Sequence, residues 1–127
     1  MEAVTQSPID WFEIPVHDID RAQRFYEALL AAPMHREAIG GNTLAIFAGS
    51  GAGVGGCLLA GASTPRPTDA GTLVYLRAAP TLDAVLARVE AAGGRIATPK
   101  VQLPGDMGCL AHIADTEGNR VGLHALA

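Results

Sequence analysis

The 127-residue sequence predicts an α+β protein built from two βαβββ modules. Three observations carry that prediction: two amphipathic helical stripes occur at matching places in the two halves, short apolar strand-like stretches flank each stripe, and a proline-bearing segment divides the halves. A half of about 55 to 60 residues with one helix cannot cover both faces of its sheet. The halves must therefore pack on each other or on another chain.

The elements follow in order. Ile9 to Val16 reads as the first strand, and Asp18-Ile19-Asp20 then opens a helix with apolar positions Ala22, Phe25, Tyr26, Leu29 and Leu30, one buried stripe. Asp18 is the N-cap, able to accept from the free amides of the first turn, and Pro33 stops the helix after Ala31-Ala32. Asn42 to Ala48 and Val54 to Ala60 are the strands after it. In the second half, Leu73 to Leu76 is strand-like and Thr81 is the N-cap. Leu82, Val85, Leu86 and Val89 repeat the stripe, and Gly93-Gly94 ends it. Arg95 to Thr98, Cys109 to Ala114 and Arg120 to Ala125 complete that half.

The repeat has a measurable offset. Asp20 and Asp83 hold the same helical place 63 residues apart, and Val54-Gly55 and Val121-Gly122 match 67 apart in the last strands. Between the halves, Pro65 and Pro67 deny residues 61–71 regular ladder bonding and make them a linker.

Composition narrows the function classes. Nine Lys and Arg against 13 Asp and Glu give a formal charge of −4, with no run of like charge to track a phosphate backbone, so no nucleic-acid partner is expected. No stretch reaches the roughly 18 uninterrupted apolar residues of a membrane span, and MEAVTQSPIDWFEIP lacks the basic-then-apolar pattern of an export signal; a soluble, cytoplasmic protein is expected. Cys57 and Cys109 fit no C-x-x-C pattern and are read as reduced, buried packing residues. The run GSGAGVGG contains G-x-G-x-x-G at Gly51, Gly53 and Gly56, but no helix follows to present its N-terminus to a pyrophosphate, and a hairpin turn is the better reading.

Three stretches carry a family resemblance: FEIPVHDIDRAQRFYEALL, LDAVLARVEAAGGRIATPK and DTEGNRVGLHAL. They resemble, respectively, the opening strand and helix, the second-module helix and strand, and the closing turn and strand of the vicinal oxygen chelate superfamily, which includes glyoxalase I, bleomycin-resistance proteins and extradiol dioxygenases. The resemblance covers about Ile9 to Leu126 and implies one glyoxalase-like domain over residues 1–127, with module one at about 8–60 and module two at about 72–127. It implies curved mixed sheets around a cup-shaped cavity. It also implies a small-molecule ligand, with an activity of lyase, isomerase or dioxygenase type or, alternatively, metal-free binding or sequestering of the resistance type or a non-catalytic interaction module, and a homodimer, for which the proline-bearing first strand, with Pro15, is an edge in need of cover. In metal-dependent members His and Glu ligands come from the first and last strands of each module. Here the usual positions hold Trp11 and Gly122, neither of which binds a divalent cation.

Alternation offers substitutes. With Phe12, Ile14 and Val16 facing the helix, Trp11, Glu13 and Pro15 face the cup; with Val121, Leu123 and Ala125 buried, Arg120, Gly122 and His124 face it too. Gly122 then leaves room for something bulky. Leu73, Tyr75 and Arg77 share that facing, and Cys57 matches His124 by the 67-residue offset. The expected lining is Trp11, Glu13, Cys57, Tyr75, Arg77 and His124, with Trp11 able to stack on a planar ligand. Glu13 and His124 suit a general base and acid, or two ligands of an incomplete divalent-metal site, while Glu13 and Arg77 could equally form a buried ion pair. His17 and His35 are read as solvated loop residues. His112 is read as packed and hydrogen-bonded, its strand parity open, and residues 103–108 as a loop beside the cup mouth.

Overall fold

The computed structural model describes residues 7–49 and 53–127, so Gly51, the first glycine of the run read as a hairpin turn, lies outside the described residues. Its elements run β1 (Trp11–Pro15), α1 (Ile19–Leu30), β2 (His35–Ile39), β3 (Asn42–Ile46) and β4 (Gly55–Ala60) in the first module. The second holds β5 (Tyr75–Arg77), α2 (Leu82–Leu86), α3 (Val89–Ala92), β6 (Arg95–Gln102), β7 (Cys109–Ala114) and β8 (Arg120–Ala125).

Each module forms an open four-stranded mixed sheet, ordered β1-β4-β3-β2 and β5-β8-β7-β6. The first strand of each pairs parallel with the last, and the remaining neighbours are antiparallel. Both predicted N-caps form: Asp18 accepts from the Arg21 amide at 3.0 Å and Thr81 from the Ala84 amide at 3.1 Å. Helix α1 ends at Ala31, which takes a left-handed φ of 52° two residues before Pro33.

Three elements differ from expectation. β2 has no counterpart among the predicted strands, since HREAI has no apolar face; all five residues are exposed, and the strand is held at the sheet edge by its ladder to β3 and by Arg36, which donates to Gln23 and Asp20 of α1 at 2.8 Å each. The second stripe is broken into α2 and α3 after Leu86, though Val85 and Val89 remain fully buried. β6 extends past Thr98 to Gln102, crossing Pro99, with register shifts that let a proline sit in an edge strand.

The core is shared between the modules. Ile14, Phe25, Tyr26 and Leu58 from the first half lie in one buried cluster with Leu76, Val85, Ile113 and Leu123 from the second. The closing turn DTEGN fastens the halves. Buried Glu117 accepts the amides of His17 at 2.9 Å and Asp18 at 2.8 Å and takes the Arg21 guanidinium through two bonds of 2.7 and 3.0 Å. Asp115 accepts the Tyr26 hydroxyl at 2.7 Å, and Asn119 donates to the Pro15 carbonyl at 2.7 Å. Gly118, at φ 93°, supplies the left-handed backbone that this turn requires. No helix among the described residues is long and apolar enough to cross a membrane.

Candidate functional site

The two modules place equivalent side chains by the same register. In β1 and β4, Trp11 stands opposite Gly55 and Glu13 opposite Cys57; in β5 and β8, Tyr75 stands opposite Gly122 and Arg77 opposite His124. The six predicted residues therefore fall into two sets of three, one on the helix-distal face of each sheet. Parity delivers them, since the residues between, Phe12 in β1 and Leu76 in β5, turn the other way and pack in the shared core.

In the first set, Glu13 gathers its neighbours. Its Oε2 accepts from the Trp11 indole at 3.4 Å and from the Cys57 thiol at 3.9 Å. Cys57 is fully buried with Leu44 and Leu59. Burial first, and then the Glu13 charge and hydrogen bond, push its thiol up to about 11. Burial and the raised pKa both disfavour the thiolate that a nucleophile needs.

In the second set, the space kept by Gly122 is filled by the protein itself. A Cβ at residue 122 would collide with the Tyr75 ring, so the glycine exists to let that ring lie across β8, and the bulky occupant expected from the sequence is Tyr75. Gly55 does the same for Trp11 in the first module, where a Cβ would come within 2.9 Å of the indole. His124 donates from Nε2 to the Met107 carbonyl at 2.6 Å and so pins the 103–108 loop to β8.

His112 joins this face. Cys109, Ala111 and Ile113 are buried, which turns Leu110 and His112 the other way. Its Nε2 lies 2.6 Å from the Tyr75 hydroxyl, its Nδ1 accepts from Arg120 Nε at 3.1 Å, and Arg120 also donates to the Thr98 hydroxyl. Burial, then the Arg120 charge, lower the His112 pKa. The alternation of Cys109, Ala111 and Ile113 is the sequence signal that identifies this facing.

Two grooves adjoin these residues. One, of about 900 Å³, is lined by Tyr75, Arg77, His124, Leu103, Met107 and Leu110 among others. The second, of about 870 Å³, runs between the modules past Phe12, Tyr26, Met34 and Phe47 and again reaches Tyr75 and Arg77. Those two residues are a wall common to both. Trp11, Glu13 and Cys57 line neither groove, so neither brings Glu13 and His124 together. Among the described residues the ion pairs are Arg21–Glu117, His35–Glu37, Arg36–Asp20 and Lys100–Asp83, so the Glu13–Arg77 pair allowed by the sequence does not form. His35, at the start of edge strand β2 rather than in a loop, is exposed as expected. No three His, Cys, Asp or Glu side chains among the described residues converge as a metal site would require.

The family model for the Glyoxalase/Bleomycin resistance protein/Dioxygenase superfamily matches residues 8–123. The chain belongs to that superfamily. Solved structures agree on the fold. A point mutant of glyoxalase I from Zea mays superposes with a TM-score of 0.71 at 21% identity, over 94% of this chain and 46% of that one. The superfamily chain described here thus spans about half the length of the maize enzyme. TnmS3, an antibiotic binding protein from Streptomyces sp. CB03234, gives 0.68 at 22% identity, over 97% of this chain and 98% of that one. A glyoxalase/bleomycin resistance protein from Albidiferax ferrireducens gives 0.66 at 20%, over 94% and 99%. No curated protein matches the chain.

Proposed function

We propose that this superfamily member binds a small organic molecule directly, without a resident metal, in the groove walled by Tyr75, Arg77 and His124. The observation that carries the reading is the make-up of that groove: apolar walls from Leu103, Met107 and Leu110 around a few convergent polar groups, in a volume of about 900 Å³ suited to a small ligand. TnmS3, similar over nearly the whole of both chains, is an antibiotic binding protein and so a precedent for small-molecule binding on this scaffold. Glu13 and His124, the acid–base or metal pair expected from the sequence, stand on separate sheets, which favours recognition over proton transfer between them.

The same reading includes a homodimer. Trp11, Tyr75, Val101 and Met107 are exposed apolar side chains on or beside the helix-distal faces, and β1 is an edge strand, as Pro15 requires. Sedimentation at micromolar concentration is expected to give twice the chain mass.

The test is a melting-temperature screen of the purified protein against a metabolite and antibiotic panel, with and without chelator. A chelator-insensitive upward shift that Tyr75→Ala abolishes is the expected result. Near-stoichiometric metal that vanishes in Glu13→Gln and in His124→Ala would overturn the metal-free reading and restore the metal-dependent enzyme.

A further inference from the structure

The Arg120–His112–Tyr75 chain has a fixed direction, and the direction says what the groove selects. A guanidinium has donors only and keeps its proton, so Arg120 Nε–H facing His112 Nδ1 at 3.1 Å requires a lone pair on that nitrogen. The proton of the neutral imidazole is then on Nε2. That N–H points at the Tyr75 hydroxyl 2.6 Å away and donates to its oxygen. The reverse arrangement, with Tyr75 donating to Nε2, would set an Nδ1 proton against the Arg120 proton. The phenolic hydrogen of Tyr75 therefore turns away from His112, and accepting from the imidazole strengthens it as a donor.

The ring that carries it is held still. It lies over Gly122 and tilts against His112 at 58° with centroids 5.4 Å apart, yet 43% of Tyr75 remains exposed along the groove. Two residues on, Arg77 has the same facing, is exposed, and enters no ion pair among the described residues. One wall thus offers a directed O–H and a permanent cation, and the other offers Leu103, Met107 and Leu110.

We infer that the groove selects an organic anion, an apolar body ending in a carboxylate or phenolate oxygen that accepts from Tyr75 beside Arg77, with His112 and Arg120 as the positioning residues that aim the hydroxyl. This rests on the small-molecule reading above and names its ligand class.

The probes are 2-naphthoate and its uncharged methyl ester, titrated calorimetrically, alongside 15N NMR of the histidine rings. The expected result is an Nε2-protonated His112 and at least about tenfold tighter binding of the acid than of the ester, in keeping with a hydrogen bond to a charged oxygen. Tyr75→Phe should lower the acid's affinity about tenfold and leave the ester's unchanged; Arg120→Met should shift the His112 tautomer and lower the acid's affinity alone. An Nδ1-protonated His112, equal binding of acid and ester, or an acid preference that survives Tyr75→Phe each overturns the inference. If neither naphthyl probe binds while other panel compounds do, the anion inference fails and small-molecule binding stands. If no compound of the panel binds, both fail.

Discussion

Glu117 accepts the backbone amide of Asp18 at 2.8 Å, joining residues 99 positions apart. Its side chain is wholly buried, and it also holds His17 and Arg21, so one carboxylate from the last turn of the second module closes the N-terminus of the first module's helix. Removing it leaves two amides and a guanidinium without their acceptor. Glu117→Ala is expected to cost about 3 kcal/mol, by the usual penalty for breaking a buried charged network. Arg21→Ala should cost less, because the carboxylate keeps both amides. Urea midpoints of the two variants measure the order; equal midpoints to the parent would refute the role of the turn.

The same carboxylate sets an acid limit. Burial alone would raise its pKa, but the Arg21 hydrogen bond, the Asp18 amide, Thr116 and the Arg21 charge outweigh burial and bring it from 4.5 to about 2. Between those values the unfolded chain binds the proton and the folded chain does not. The stabilisation is therefore complete above about pH 4.5 and is lost as pH falls towards about 2, amounting to about 3 kcal/mol. Unfolding free energies measured from pH 5 to 2.5 should slope downward in the parent and lose much of that slope in Glu117→Gln.

What was legible in the sequence follows from what apolar alternation can encode. β7 and β8 fall on the residues that Cys109 to Ala114 and Arg120 to Ala125 mark out, because one face of each is buried and a one-residue slip would expose it. β2 has no buried face, so its sequence carries no alternation to mark a strand that its ladder to β3 and the Arg36 contacts to α1 hold. The candidate site was legible in facing and not in grouping: parity put Glu13 and His124 on helix-distal faces, whereas the way two sheets are set against each other is fixed by Glu117, Asn119 and the shared core. Long-range pairings of that kind have no local pattern. Gly122 illustrates the remaining gap, since a small residue announces vacant space but not that Tyr75, 47 positions earlier, takes it.

That relation separates two glycines that look alike in sequence. A methyl group at residue 122 meets only the Tyr75 ring, which can swing off the sheet, whereas at residue 108 it meets the Ala125 carbonyl, and Gly108 also holds a φ of 86°. Gly122→Ala should fold with a loss of about 1–3 kcal/mol while weakening ligand binding by displacing Tyr75 from His112. Gly108→Ala should cost more than twice as much, since backbone cannot yield and the left-handed conformation penalises a side chain. Thermal unfolding and calorimetric titration of the pair check both halves; a Gly122→Ala variant with undiminished binding would show that the ring's seat on β8 is dispensable.

Cys57 provides the last test, because it stands opposite Glu13 on the face where a reactive thiol would mean covalent chemistry. Its thiol, pushed up to about 11 by burial and by Glu13, carries about a hundredfold less thiolate at pH 8 than one at the ordinary value of 9.0. Cys109 is buried as well, with its thiol on the Ala125 carbonyl. Maleimide at pH 8 should leave both cysteines unlabelled in the folded protein over times that label a free thiol completely, and modify both once urea unfolds the chain. Under conditions that permit only brief opening, labelling should track unfolding, so that destabilised Glu117→Ala reacts faster than the parent although neither cysteine has been touched. Rapid modification of Cys57 in the folded parent would contradict its place as a packed wall beneath Glu13.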